Sequence, residues 1–322
     1  MKHTKIYLLS LLAMLTLGAC SSDSDSGNGG GNSTNANANI MQAAMPAEIT
    51  RTEFPRVKGG TSTIIVHKTD QYGVNFCTEY DLSKKSQRWS CYAVTKANNV
   101  TGWNRNNWKT GINGQPFTWS GKTWGHNVEP FQPDPAISTD AQAGIHEYNS
   151  NDPFYARGHI VASQDRISCM EANGQTFYMT NMQPMIQNGF NSGAWSDMES
   201  KIRNFATKYI KTASDTMFVC KGGTIDRADQ ILGYTTNHFI VPKYFFAAVL
   251  IKSTNGNAAI GFWYEHKAYA SSEKIINHVV NITTLQNLTG IDFFCNLPDD
   301  IESKVENDNL TTERLQQIWN IQ

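Results

Sequence analysis

Between Tyr155 and Glu199 the chain carries an arginine, a histidine, an asparagine and a glutamate in short blocks. These read Tyr-Ala-Arg-Gly-His from Tyr155, Thr-Asn-Met-Gln-Pro from Thr180, and Asn-Ser-Gly-Ala-Trp-Ser-Asp-Met-Glu from Asn191. A neutral imidazole accepts a proton from water near neutral pH, a guanidinium holds phosphate oxygens, and amide and carboxylate oxygens suit a hard divalent cation. Together the set suggests metal-assisted phosphodiester hydrolysis. Only Gly158 separates Arg157 from His159, so in an extended chain both side chains fall on one face. On a continuous helix, Asn191, Trp195 and Glu199 form an i, i+4, i+8 row that drifts by about 40° per step. Asn191 and Glu199 would then address one cavity, with Trp195 in the core.

These blocks resemble the DNA/RNA non-specific endonuclease family, whose site is a ββα-metal motif. Arg157-Gly158-His159 matches its Asp-Arg-Gly-His, Thr180 to Pro184 its Thr/Ser-Asn-Met/Ile-x-Pro-Gln, and Asn191 to Trp195 its Asn-x-Gly-x-Trp. Glu199 follows that asparagine at the family's eight-residue interval. The likeness runs over about Val74 to Pro298. The resemblance implies a Mg²⁺-dependent endonuclease acting on DNA and RNA, with Mn²⁺ able to substitute. It implies His159 as general base, Asn191 as the direct metal ligand, and Glu199 as an acceptor for the ion's waters. Arg157 and Arg105 would hold the phosphate, Asn181 would lie on the substrate side or shape the site, and Gln187 would lie on the substrate side. There are two departures: Ala156 stands where the family has Asp, and Met185 where it has Gln, with Gln187 two positions on. The alternative is a surface lipoprotein on the same scaffold that binds nucleic acid or glycan without cutting it. Retention of Arg157, His159, Asn191 and Glu199 together favours the enzyme, and a zinc hydrolase is disfavoured because there is no His-Glu-x-x-His pair.

The elements that position these groups read as one α/β (α+β) domain, a central, largely antiparallel sheet flanked by helices. Thr63–His67, Tyr72–Asp81 and Arg88–Lys96 read as strands, as do Met217–Cys220, His238–Ile251 and Ala259–Tyr264. Thr176–Met182 reads as a buried strand. Asn191–Tyr209 reads as an amphipathic helix, because Ala194, Trp195, Met198, Ile202 and Phe205 follow helical spacing. From Trp103 to Pro153 there is no periodicity, which points to a functional loop rather than packing material.

The first residues bound where the protein works. Lys2 and Lys5, an apolar run from Ile6 to Leu17 and Leu-Gly-Ala-Cys ending at Cys20 have the shape of a secretory signal. The end of that run resembles a lipoprotein cleavage site, implying a signal peptide at 1–19 and lipidation of Cys20. Residues 20–50 read as a polar Ser/Asn/Gly/Asp-rich tether and 51–322 as the endonuclease domain. The lipoprotein-like site implies anchoring to the outer membrane, facing either the periplasm or the exterior, and the acidic Ser-Ser-Asp-Ser-Asp after Cys20 resembles a signal for surface export. With 27 basic and 28 acidic residues in the whole chain, nucleic-acid binding requires positive charge to be concentrated locally. Lys84, Lys85, Arg88, Lys96, Arg105 and Lys109 fall in one stretch, and Arg157, Arg166, Lys201, Arg203 and Lys208 surround the motif. Export permits disulfides, and Cys77 and Cys91 flank one predicted hairpin, so a bridge between them is expected.

Overall fold

The computed structural model describes residues 35–148, 154–254 and 256–322. The expected signal peptide at 1–19, Cys20 and the tether as far as residue 34 lie outside the described residues. The first three strands are β1 (Ser62–Thr69), β2 (Gly73–Asp81) and β3 (Ser86–Thr95), followed by helix α1 (Arg105–Thr110) and the small strands β4 (Phe117–Trp119) and β5 (Lys122–Trp124). Next come β6 (Ala156–His159), α2 (Met170–Gln175), β7 (Met182–Met185) and α3 (Ser196–Tyr209). Then come β8 (Thr216–Gly223), β9 (Ile231–Tyr234), β10 (Ile240–Pro242), β11 (Tyr244–Ser253), β12 (Gly256–Glu265), β13 (Val279–Val280), α4 (Ile282–Thr289) and α5 (Asp299–Glu306), and a last helical segment spans 312–319. A seven-stranded sheet runs β1-β2-β3-β8-β11-β12-β13. Its pairings are antiparallel throughout, as the sequence led us to expect.

Both faces of this sheet are covered, which explains why its central strand reads as an unbroken apolar run. Along β11, Phe245, Ala247, Val249 and Ile251 point to a core shared with Met198, Ile202 and Phe205 of α3. Phe246, Ala248 and Leu250 point the other way, to a core closed by Ile282 and Leu285 of α4 and Val305 of α5. Period-two alternation is present, but with no polar face it leaves no mark in the sequence.

Three expectations are corrected. The ordered body reaches back before residue 51: Asn39 donates to the carbonyls of Ile49 and Pro55, and Ile49 is buried beside Phe54. Side-chain amides here bond backbone that a solvated tether would leave to water. The aperiodic region after Trp103 is also packing material. Trp108 and Trp124 are buried with Phe131, Tyr148 and Phe177 in a third core, and Trp108 donates to Asn173 at 2.7 Å. Finally, Cys77 and Cys91 are free thiols, although they are opposite each other in the β2–β3 register. Cys220 pairs with Cys91 in the next strand, so three buried thiols form a row across the sheet. Burial pushes all three pKa values well above the ordinary thiol range, withholding the thiolate that disulfide chemistry needs. We therefore expect a maleimide to leave Cys77 and Cys91 unlabelled in the native protein and to label both in urea without reductant. Peptide mass mapping of the two states checks this, and a pair that labels only after reduction would restore the bridge.

Candidate active site

β6 and β7 form an antiparallel pair that places Arg157 opposite Pro184 and His159 opposite Met182. Glycine is required between the two functional side chains. A Cβ on Gly158 would lie 2.2 Å from Cγ of Met185, the residue standing where the family pattern has Gln. Past His159 the chain is held by Asn181, whose Oδ1 accepts from the Val161 amide at 2.9 Å while its Nδ2 donates to the carbonyls of Val161 and Thr176. Asn181 is wholly buried, so of its two expected roles it takes the site-shaping one, and a direct contact with substrate is corrected. The predicted strand Thr176–Met182 is corrected too. Met179–Asn181 is a 3₁₀ turn and the strand begins at Met182, because the turn is what swings Asn181 under β6.

The predicted helix from Asn191 begins only at Ser196. Residues 187–195 coil more widely, with non-helical backbone at Asn188, Gly189, Ser192 and Gly193. Gly189 has φ of 76°, and a Cβ there would sit 2.7 Å from the Tyr269 carbonyl. The i, i+8 row is thus broken at Gly193, yet Asn191 and Glu199 still line one cavity because the wide coil turns back toward it. Asn191 Nδ2 donates to Gln187 Oε1 at 2.9 Å. That bond leaves Oδ1 as the outward acceptor, so Gln187 orients Asn191 as well as lining the cavity. Trp195 is core, as expected, and its Nε1 donates to the His159 carbonyl at 3.2 Å.

The cavity measures about 660 Å³ and is lined by His159, Asn191, Glu199 and three arginines, Arg105, Arg157 and Arg203. Arg203 belongs to no block of the motif; its position four after Glu199 on α3 is the sequence signal for its place in the cavity. Two residues of the early basic stretch are used elsewhere: Arg88 is buried in ion pairs with Glu79, Asp81 and Asp226, and Lys84 pairs with Asp226. Arg105 opens α1 and grips Glu129 through Nε and Nη2 at 2.8 and 2.7 Å. Burial raises the Glu129 pKa, but Arg105 and then Lys109 override it and bring it down to about 2. With Arg105 43% exposed, such a pair is worth about 0–1 kcal/mol, little enough for a phosphate to compete for the fork. Arg157 lies over the Phe131 ring at 3.9 Å and donates to the Ile145 carbonyl. His159 sits against Phe131 and Phe177, and its Nε2 is buried without a hydrogen-bond partner. Burial first, and Arg105 second, lower its pKa to about 3, so the imidazole is neutral at working pH.

Behind Glu199 lies a buried charge network invisible in the motif. Lys221, on β8 and fully buried, bonds Asp165 at 3.1 Å and Glu199 at 3.2 Å. Asp165 also accepts from Arg203 at 2.9 Å and from the Tyr92 hydroxyl at 2.6 Å. One buried carboxylate therefore ties two cavity residues together. Burial pushes the Glu199 carboxyl above its ordinary range, and Lys221 opposes that shift.

This arrangement joins a two-stranded β pair, a following helix and an arginine-rich pocket around an unpaired imidazole, and the family profile for DNA/RNA non-specific endonucleases matches residues 60–300. The chain belongs to the DNA/RNA non-specific endonuclease family. It is 30% identical over 176 residues to a nuclease of Syncephalastrum racemosum, covering 51% of this chain and 54% of that protein. It is 28% identical over 155 residues to the mitochondrial endonuclease G of Caenorhabditis elegans, covering 44% and 48%. The alignments thus span about half the length of these curated relatives. The chain also shares its fold with a chain of the EndoG/EndoGI complex, with TM-score 0.58 and 17% identity over 79% of this chain and 95% of that one.

Proposed function

We propose that this protein is a Mg²⁺-dependent endonuclease that hydrolyses phosphodiester bonds of DNA and RNA, with Mn²⁺ able to substitute. The observation that carries this reading is the orphaned Nε2 of His159, buried at the wall of a cavity that also holds three guanidiniums. The residues fit a hydrated divalent ion: Asn191 offers one neutral oxygen, and Glu199 offers a carboxylate for the ion's waters, as suits Mg²⁺, which gives up its water shell reluctantly. A second carboxylate group, Asp292, Glu302 and Glu306, does not line the cavity and is bridged by the amides of Asn37 and Gln286. Bound at Asn191, the ion would supply positive charge for the leaving oxygen.

The remaining work falls to the protein's own side chains. Nε2 of His159 takes the proton of the attacking water. A pKa of about 3 makes the free imidazole a weak base. The phosphate's negative charge beside it raises that value once substrate arrives, and Arg105, whose charge helped depress it, turns to the phosphate. Arg157 and Arg203 flank the pocket and stabilise charge that develops on the non-bridging oxygens. Asn191→Ala should leave the fold intact and make plasmid nicking depend more steeply on Mg²⁺, with partial recovery at high concentration. Full activity of the parent protein in EDTA would sink the metal assignment.

We also propose that the chain is exported and lipid-anchored through Cys20 to the outer membrane with the nuclease facing outward. The lipoprotein-like end of the N-terminal apolar run and the acidic tract after Cys20 support this. Cys20→Ala should move the protein from the membrane fraction to the soluble fraction, and an unchanged distribution would count against the anchor.

A further inference from the structure

A second cleft of about 190 Å³ opens beside the active-site cavity, and Gln164 and Arg203 line both. Its floor is apolar, made by Val94 and Met217 of the sheet and Ile202 and Ala206 of α3, all buried. Its rim carries the exposed Val100 beside two polar side chains, Asn99 and Gln164, which are exposed and make no side-chain hydrogen bond among the described residues. The loop bearing that rim is held rigidly, because Asn98 accepts from the Thr95 amide at 2.9 Å and donates to the Ala93 carbonyl at 3.1 Å. On the wall between the two spaces the Arg203 guanidinium is pinned by Asp165 and Ser200. Drug-sized ligands fill roughly 300–1,000 Å³, so this cleft takes one planar ring system, not a nucleotide with its sugar and phosphate.

We infer that this cleft is a nucleobase subsite, holding the base of a nucleotide adjacent to the bond being cut. The inference rests on the nuclease reading and adds that the enzyme grips an unstacked base as well as the backbone. An apolar floor receives the faces of any base, and free amides that both donate and accept can meet the edge of any base, which is compatible with weak sequence preference. The shared Arg203 keeps the phosphate on the active-site side. A duplex buries its bases in stacks, so the subsite favours single-stranded or locally opened substrate.

The test scans one abasic analogue along a single-stranded DNA oligonucleotide and maps cleavage in Mg²⁺, with binding followed in EDTA by anisotropy. The wild-type protein should cut about tenfold more slowly at one fixed offset from the abasic position, and bind that oligonucleotide more weakly, as loss of one base contact predicts. Ala206→Phe fills the cleft and should bring the intact-to-abasic ratio close to one. If its melting curve shows a folding defect, Val100→Asp on the exposed rim provides the same comparison. Equal cutting and binding of intact and abasic substrate by an active wild-type protein would overturn the subsite alone. An inert wild-type protein would overturn the nuclease reading, and the subsite with it.

Discussion

His159→Ala should lower the rate of cleavage by a factor of about 10² to 10⁴, with little change in KM. The imidazole Nε2 has no hydrogen-bond partner among the described residues and lies at a cavity lined by the arginines, so its loss removes proton transfer and leaves phosphate binding to Arg105, Arg157 and Arg203. The same substitution carries a signature in stability. A histidine held at about 3 when folded, against 6.5 unfolded, lets the unfolded chain take up a proton that the folded chain refuses. Stability contributed above pH 6.5 is therefore lost as pH falls from there toward 3. The alanine variant should lose less on acidification, measured as the change in urea midpoint between pH 7 and pH 4.5. Near-normal cleavage by a folded His159→Ala protein would reopen the binding-protein alternative.

Lys221→Met should cost about 3–5 kcal/mol, the usual result of breaking a buried ion pair. The lysine side chain is fully buried, and its removal leaves Asp165 and Glu199 as buried negative charges, with Arg203, Tyr92 and Arg166 answering Asp165. The loss should be smaller at pH 5 than at pH 8. Glu199, already raised by burial, takes up a proton more readily once its cation is gone. Adding Glu199→Gln should recover much of the stability, and the double-mutant cycle isolates the coupling. A Lys221→Met protein as stable as the parent would show that the network carries no such weight. Recovery of stability in the double variant without recovery of cleavage would separate the structural part of Glu199 from its part in the site.

The residues of the candidate site were legible because their chemistry is carried by short local spacings. Arg157, Gly158 and His159 need only an extended backbone to share a face, and β6 supplies it. The antiparallel sheet was legible from its strand-length apolar runs, and the core positions of α3 from their spacing. What lay beyond reach was decided by partners distant in the chain. Asn181 has the same amide whether it meets a substrate or the Val161 peptide, and only the turn beneath β6 settles which. The opposed positions of Cys77 and Cys91 suggested a bridge, but burial against Cys220 and the sheet core decides their reactivity. Asn191 and Glu199 do meet at one cavity, by way of a broken coil at Gly193 rather than a helical row. Lys221 carried no motif at all, since a lysine in an apolar strand acquires meaning only when Asp165 and Glu199 are folded against it. The sequence by itself determined which chemical groups are present and which local backbone carries them. Tertiary structure decided which of those groups are desolvated together, and burial and charge pairing then set what each can do.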